Sequence, residues 1–200
     1  KFVTVYLSIN LFFVFLEKLQ NMLTTENTLF LLVDVQGKLA HIVHESASTI
    51  QNIQALVKGM NLFKIPILSV EQNPNGLGKT VEEISTLIQD FNPYSKMTFS
   101  AWSEPTIQAE INRINPRNIV VVGIETHVCV YQTCVELLEE NYHVVLVQDA
   151  VSSRTQANKE LAINKLSLLG AEITSTEMLL FELQKTCAHP RFKELLTLIK

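Results

Sequence analysis

A doubly wound α/β fold with a mainly parallel sheet is predicted by three features of this sequence. Apolar runs of strand length alternate with amphipathic helical segments from Met22 onward, the connections between them are short, and the runs at 28–35 and 118–123 are nearly continuous in apolar residues. Continuous apolar strands belong in the middle of a sheet covered on both faces, and parallel neighbours require crossover helices. Reactive groups in such sheets lie beyond the carboxyl ends of the strands.

Each element has its own signal. Thr28 to Val35 reads as a central strand, and Ile50, Ile53, Val57 and Met60 then fall at helical spacing. Pro66 opens a short strand through Val70, and Asn73-Pro74-Asn75-Gly76 is a turn cluster. Thr80-Val81-Glu82-Glu83 reads as a capping box for a helix carrying Val81, Ile84 and Ile88. Pro105 suits a first helical turn, with Ile107, Ile111 and Ile114 on one face. The strand 118–123 leads to Thr126, expected as N-cap of a helix with Val128, Tyr131, Val135 and Leu138 on its apolar face. A strand at 143–148, a helix from Thr155 to Leu169 closed by Gly170, and a strand at 171–174 complete the series. Two short helical patterns follow, the second with Phe192, Leu195, Leu196 and Ile199, which can pack on the domain or on a neighbouring copy.

Residues 2–16 are apolar but shorter than the roughly 20 residues that cross a bilayer. Residues 1–21 are therefore expected to be an N-terminal extension, as a targeting segment or non-native sequence, ahead of one domain at 22–200. The expected location is cytoplasmic, or mitochondrial if the segment is a targeting signal. No membrane span is expected.

A net charge of −4 and scattered Lys and Arg disfavour a nucleic-acid partner and suit a small-molecule substrate. Three cysteines without a Cys-x-x-Cys pair argue against a disulfide framework or zinc finger, and the five dispersed histidines form no His-x-x-x-His pair. Neither a metal nor another cofactor is expected.

Three residues are expected to share the carboxyl edge. Asp34 closes the first strand between two valines, Cys129 follows the fourth, and Lys96 lies in the segment returning the chain to that edge. A thiol in a first helical turn meets the positive end of the helix dipole and backbone N–H groups able to receive an oxyanion. The roles fit together: Asp34 takes the thiol proton, Lys96 stabilises thiolate and carboxylate, and Cys129 attacks an electrophilic carbon.

The matching pieces are Val33-Asp34-Val35-Gln36, the run from Ser95 to Ser100, the run from Gly123 to Val130 and the run from Asp149 to Arg154. On these the chain resembles the isochorismatase-like cysteine hydrolases over residues 26–200. Glu71-Gln72 with Gly76-Leu77-Gly78, and the tail from His189 to Glu194, are similar to the subgroup of isochorismatase domain-containing proteins. The resemblance implies a three-layer α/β/α sandwich with a mainly parallel six-stranded sheet. It further implies a catalytic triad of Asp34, Lys96 and Cys129, and a cis peptide at Ile124-Glu125. The backbone N–H groups of Glu125 and Cys129 would form the oxyanion hole. Gln36 and Trp102, close in sequence to Asp34 and Lys96, are candidate substrate-binding residues. Relatives are commonly oligomeric, so a homo-oligomer is expected.

The segment Ser69 to Thr80 has no His or Asp, whereas nicotinamidases of the superfamily bind a metal there. The expected activity is hydrolysis of a small amide, imide or ester-like bond through a thioester, with Lys96 and the two amides holding the developing charge. The alternatives are an RNA-associated protein, since some relatives of the subgroup carry a ribonuclease label, and a non-catalytic oligomeric binding protein of the same fold.

Overall fold

The computed structural model describes residues 22–199, so the expectation for residues 1–21 lies outside the described residues. Six strands form one sheet in the order β3-β2-β1-β4-β5-β6, with every neighbouring pair parallel. They are β1 (Thr28–Val33), β2 (Ile67–Gln72), β3 (Tyr94–Lys96), β4 (Asn118–Ile124), β5 (His143–Ser152) and β6 (Glu172–Thr174). The helices, in chain order, are α1 (Gly37–Ile42), α2 (Ser46–Phe63), α3 (Pro74–Leu77), α4 (Glu82–Ser85) and α5 (Pro105–Ile114). After a π-helical turn (Thr126–Val130) come α6 (Tyr131–Glu139), α7 (Gln156–Leu168), α8 (Thr176–Gln184) and α9 (Phe192–Leu198).

The two faces of the sheet bury separate cores. Phe30, Leu32, Val120 and Val122 pack with Ile53, Leu56 and Met60 of α2 and with Leu179 and Leu180 of α8. Leu29, Leu31, Ile119 and Val121 face the other way, onto Ile107 and Ile111 of α5 and Cys134 and Leu137 of α6. Period-2 alternation along β1 and β4 thus feeds both layers, and each fully buried isoleucine or leucine contributes roughly 1.5–3 kcal/mol.

β1 and β4 pair in register from Thr28 opposite Asn118 to Val33 opposite Gly123. The chain winds outward from this pair in both directions, which makes it the switch point where a crevice opens at the carboxyl edge. Gly123 has φ +122°, and a Cβ there would lie 1.9 Å from the Val33 carbonyl oxygen. Only glycine allows β1 and β4 to run so close at their ends.

Local expectations shift at several places. The turn cluster at 73–76 closes into the single-turn helix α3. No capping box forms at Thr80: its N–H and hydroxyl both donate to the buried Glu71 carboxylate, at 2.7 and 2.8 Å, and α4 is one turn long. A strong buried acceptor outcompetes the local cap. α7 does use its cap, Thr155 accepting from the Asn158 N–H, and Gly170 lies just past its end at φ +104°. β5 extends four residues beyond the expected 143–148, with a register irregularity opposite Val121 to Gly123. The C-terminal helix packs on its own domain, with Leu195 fully buried and Phe192 against Phe181.

Candidate active site

Asp34 follows the last residue of β1 and adopts φ +53°, a left-handed conformation that Asp tolerates better than most residues. Its N–H still donates to the Val70 carbonyl at 3.1 Å, so the turn stays tied to β2. Lys96 ends β3, opposite Gln72 in the β2–β3 register. Both charged groups are buried, 2% and 1% exposed, and the ammonium donates to Asp34 Oδ2 at 2.7 Å. A buried ion pair persists when its remaining donors are satisfied. Here Nζ also meets Gln72 Oε1 at 2.8 Å, the Phe99 carbonyl at 3.0 Å and the Thr98 carbonyl at 3.2 Å.

Four acceptors surround three protons, so the ammonium is saturated by the protein. That corrects the expectation that Lys96 holds a developing oxyanion directly. Its charge acts through Asp34 and through space.

Cys129 sits in the π-helical turn, 8% exposed, beyond the carboxyl end of β4. The turn starts after a cis Ile124-Glu125 peptide, and Val128 and Val130 both donate to the Glu125 carbonyl, at 3.0 and 3.3 Å. Thr126 is therefore inside the turn rather than capping it, and its buried hydroxyl has no hydrogen-bond partner. The buried face of the following helix is Val130, Thr133, Cys134 and Leu137, one position away from the expected stripe, whose members are half-buried. The π-helical turn changes the helical phase.

Burial is the main reason that the Cys129 thiol is pushed up to about 12, with the Asp34 and Glu125 charges adding to it and the Lys96 charge opposing. A thiol so placed holds its proton at neutral pH and needs a base in order to react. Burial also raises the Asp34 carboxyl above its ordinary range, against the pull of Lys96 and of a weak contact with the Cys129 thiol. Asp34 Oδ1 makes no hydrogen bond of good geometry. A buried carboxylate held by a cation on one oxygen and in contact with a protonated thiol is suited to take that proton.

The two substrate-binding candidates are both buried. Gln36 is fully buried and spends its amide on backbone: it accepts from Gln72 N–H at 2.7 Å and donates to the Gln72 carbonyl at 3.1 Å and to Gly78 O. Trp102 is packed edge-on against Tyr142 at 5.4 Å. Tyr142 immediately precedes β5, and the indole is buried in the same apolar layer as Cys129, Leu68 and Val70. Gln36 thus ties the chain after β1 to the end of β2, and Trp102 packs on the residue before β5.

Two features were missed from sequence. Gln72 contacts Lys96, and its signal was a polar pair, Glu71-Gln72, ending a buried strand, as Asp34 directly follows β1. Glu125 is nearly buried and its Oε1 accepts from Arg154 N–H and Nε at 3.0 and 3.1 Å, tying the ends of β4 and β5 together. Among the described residues, no three His, Cys, Asp or Glu side chains are grouped to hold a metal ion.

The profile of the isochorismatase domain matches residues 28–178, which contain all three residues of this cluster. Isochorismatase domain-containing protein 2 of Bos taurus is 34% identical over 175 residues, covering 87% of this chain and 83% of that protein. The secreted isochorismatase effector Isc1 of Phytophthora sojae is 33% identical, covering 92% and 89%. Among solved structures, the MAR1 ribonuclease of Caenorhabditis elegans superposes with a TM-score of 0.83 at 32% identity, covering 88% of this chain and 91% of that one. YcaC of Pseudomonas aeruginosa, solved with hexane-2,5-diol and covalent acrylamide, has the same fold at a TM-score of 0.83 and 21% identity, covering 88% and 91%. With the domain match spanning most of the described residues and the six-stranded fold shared, the chain belongs to the isochorismatase-like hydrolase family.

Proposed function

We propose that this protein is a cysteine-dependent hydrolase of a small-molecule amide, imide or ester-like bond, working through a thioester on Cys129. The observation that carries the reading is the buried Asp34 carboxylate in contact with the Cys129 thiol, its Oδ2 held by Lys96 at 2.7 Å and its Oδ1 without a hydrogen bond of good geometry.

As Cys129 Sγ bonds to the substrate carbonyl carbon, the thiol proton passes to Asp34 and the carbonyl oxygen takes the negative charge. The backbone N–H groups of Glu125 and Cys129 receive that oxygen. On collapse the C–N bond breaks, and Asp34 returns the proton to the leaving nitrogen. Water then adds to the thioester and gives its proton to Asp34. On the second collapse the C–S bond breaks, Asp34 returns that proton to Cys129 Sγ, and the carboxylic acid leaves. Lys96 favours the ionised form of Asp34 against the effect of burial, with no proton moved through it.

The low formal charge of −4 does not favour a polyanion, and ribonuclease activity is named only for other proteins. Among the described residues no helix is long and apolar enough to cross a membrane. A homo-oligomer belongs to the same reading: Leu161 and Leu168, seven residues apart on α7, are both exposed.

The test is acylation of Cys129 by a small activated ester, read as an adduct mass on the Cys129 peptide. Loss of hydrolysis in Cys129→Ala supports the reading. Turnover that survives the substitution overturns it, and so does a protein that neither acylates nor hydrolyses.

A further inference from the structure

β2 ends in two buried polar residues whose tasks differ. Glu71 is engaged by Thr80. Gln72 has its main chain clamped on both sides by the Gln36 amide, and its own side chain reaches the other way. There Oε1 accepts from Lys96 Nζ at 2.8 Å and Nε2 donates to the Met97 carbonyl at 3.0 Å.

Three of the four acceptors around Nζ lie within 3.0 Å: Asp34 Oδ2, Gln72 Oε1 and the Phe99 carbonyl. The Phe99 carbonyl and the more distant Thr98 carbonyl come from adjacent residues of one loop. Without Gln72 they would leave the ammonium to follow that loop. The amide supplies the direction from β2, and it does so without charge. The other groups whose charge bears on Asp34 or Cys129 are Lys96 on β3 and Glu125 at the end of β4.

We propose that Gln72 is a positioning residue: its clamped, neutral amide fixes the Lys96 ammonium so that Asp34 is its single ionic partner. The assignment rests on the proton transfer from Cys129 to Asp34 described above. A carboxylate at position 72 would divide the ammonium's charge, and an apolar side chain would release one of its three short bonds. Either change makes Asp34 harder to ionise.

The probe is iodoacetamide in a Cys187→Ser background, because Cys187 is exposed. Alkylation of Cys129 is followed by mass from about pH 4 to about pH 9, where the acid limb of the rate reports Asp34. Gln72→Glu is expected to move that limb up by about one pH unit, and Gln72→Met to move it in the same direction by less. A role confined to tethering the Met97 loop would lower the melting temperature and leave the limb in place. A limb that stays at the parent position in either folded variant overturns the proposal. If the parent protein itself shows no acid limb, the transfer to Asp34 is what has failed, and the two failures are thereby told apart.

Discussion

Asp34 and Lys96 form a buried ion pair at 2.7 Å, with side chains 2% and 0% exposed, on strands separated by β2. The pair spans the sheet edge beneath Cys129, so its removal has separable effects on stability and on chemistry.

Lys96→Met leaves the Asp34 carboxylate buried without its cation, which costs about 3–5 kcal/mol at neutral pH. Burial already raises the folded-state Asp34 value, and loss of the ammonium raises it further. The folded variant then binds more protons than the unfolded chain between the ordinary carboxylate value and the raised one, so stability falls as pH rises through that window. Urea melts at about pH 5 and about pH 8 should show the larger deficit at the higher pH. Asp34→Asn combined with Lys96→Met should regain much of the loss while remaining inactive. An equal deficit at both pH values would remove Asp34 from the explanation.

Alkylation of Cys129 separates two routes to a nucleophile. With the thiol pushed up to about 12, a route through free thiolate gains about tenfold in rate per pH unit across the neutral range. Transfer to Asp34 instead gives a plateau above the acid limb. The native protein should show the plateau from about pH 7 to about pH 9, and Asp34→Asn should convert it to the steep rise.

Gly123→Ala is expected to cost about 3 kcal/mol, because the added Cβ would meet the Val33 carbonyl oxygen at 1.9 Å on a backbone already at φ +122°. Gly170→Ala is the control. Its φ is +104° but nothing lies within 4 Å, so only the backbone term of about 1 kcal/mol applies. Thermal melts of the two variants give the comparison, and equal losses would show that close approach of β1 and β4 is not what requires glycine.

Thr80→Val removes one of the two donors to Glu71 Oε1 and keeps the backbone N–H. A loss of about 1–2 kcal/mol in urea melts, with unchanged alkylation of Cys129, is the expected outcome. A large fall in alkylation would instead connect the 73–80 segment to the reactive edge.

The positions of Asp34 and Cys129 were legible because each interrupts or ends an apolar run, and the sheet rule then sends both to one edge. Lys96 required the further inference that its segment returns there. The details around them were not legible, for a common reason. Gln36 binds Gln72 and Gly78, Thr80 binds Glu71, and Trp102 packs on Tyr142, each a choice among distant partners that periodicity does not record. The Thr126 cap failed locally: the chain enters a π-helical turn after a cis peptide, and neither has a residue-type signature as clear as a capping motif.

The register of β1 against β4 has one more consequence. Asp34 and Cys129 lie on opposite windings of the sheet, and the chain between them contains β2, β3 and α5. Neither half carries both members of the proposed proton-transfer pair, so a chain cut in the 115–117 connection would yield two fragments without turnover. Ester hydrolysis regained on mixing them would then serve as a reporter of the central seam closing, readable without any spectroscopic label.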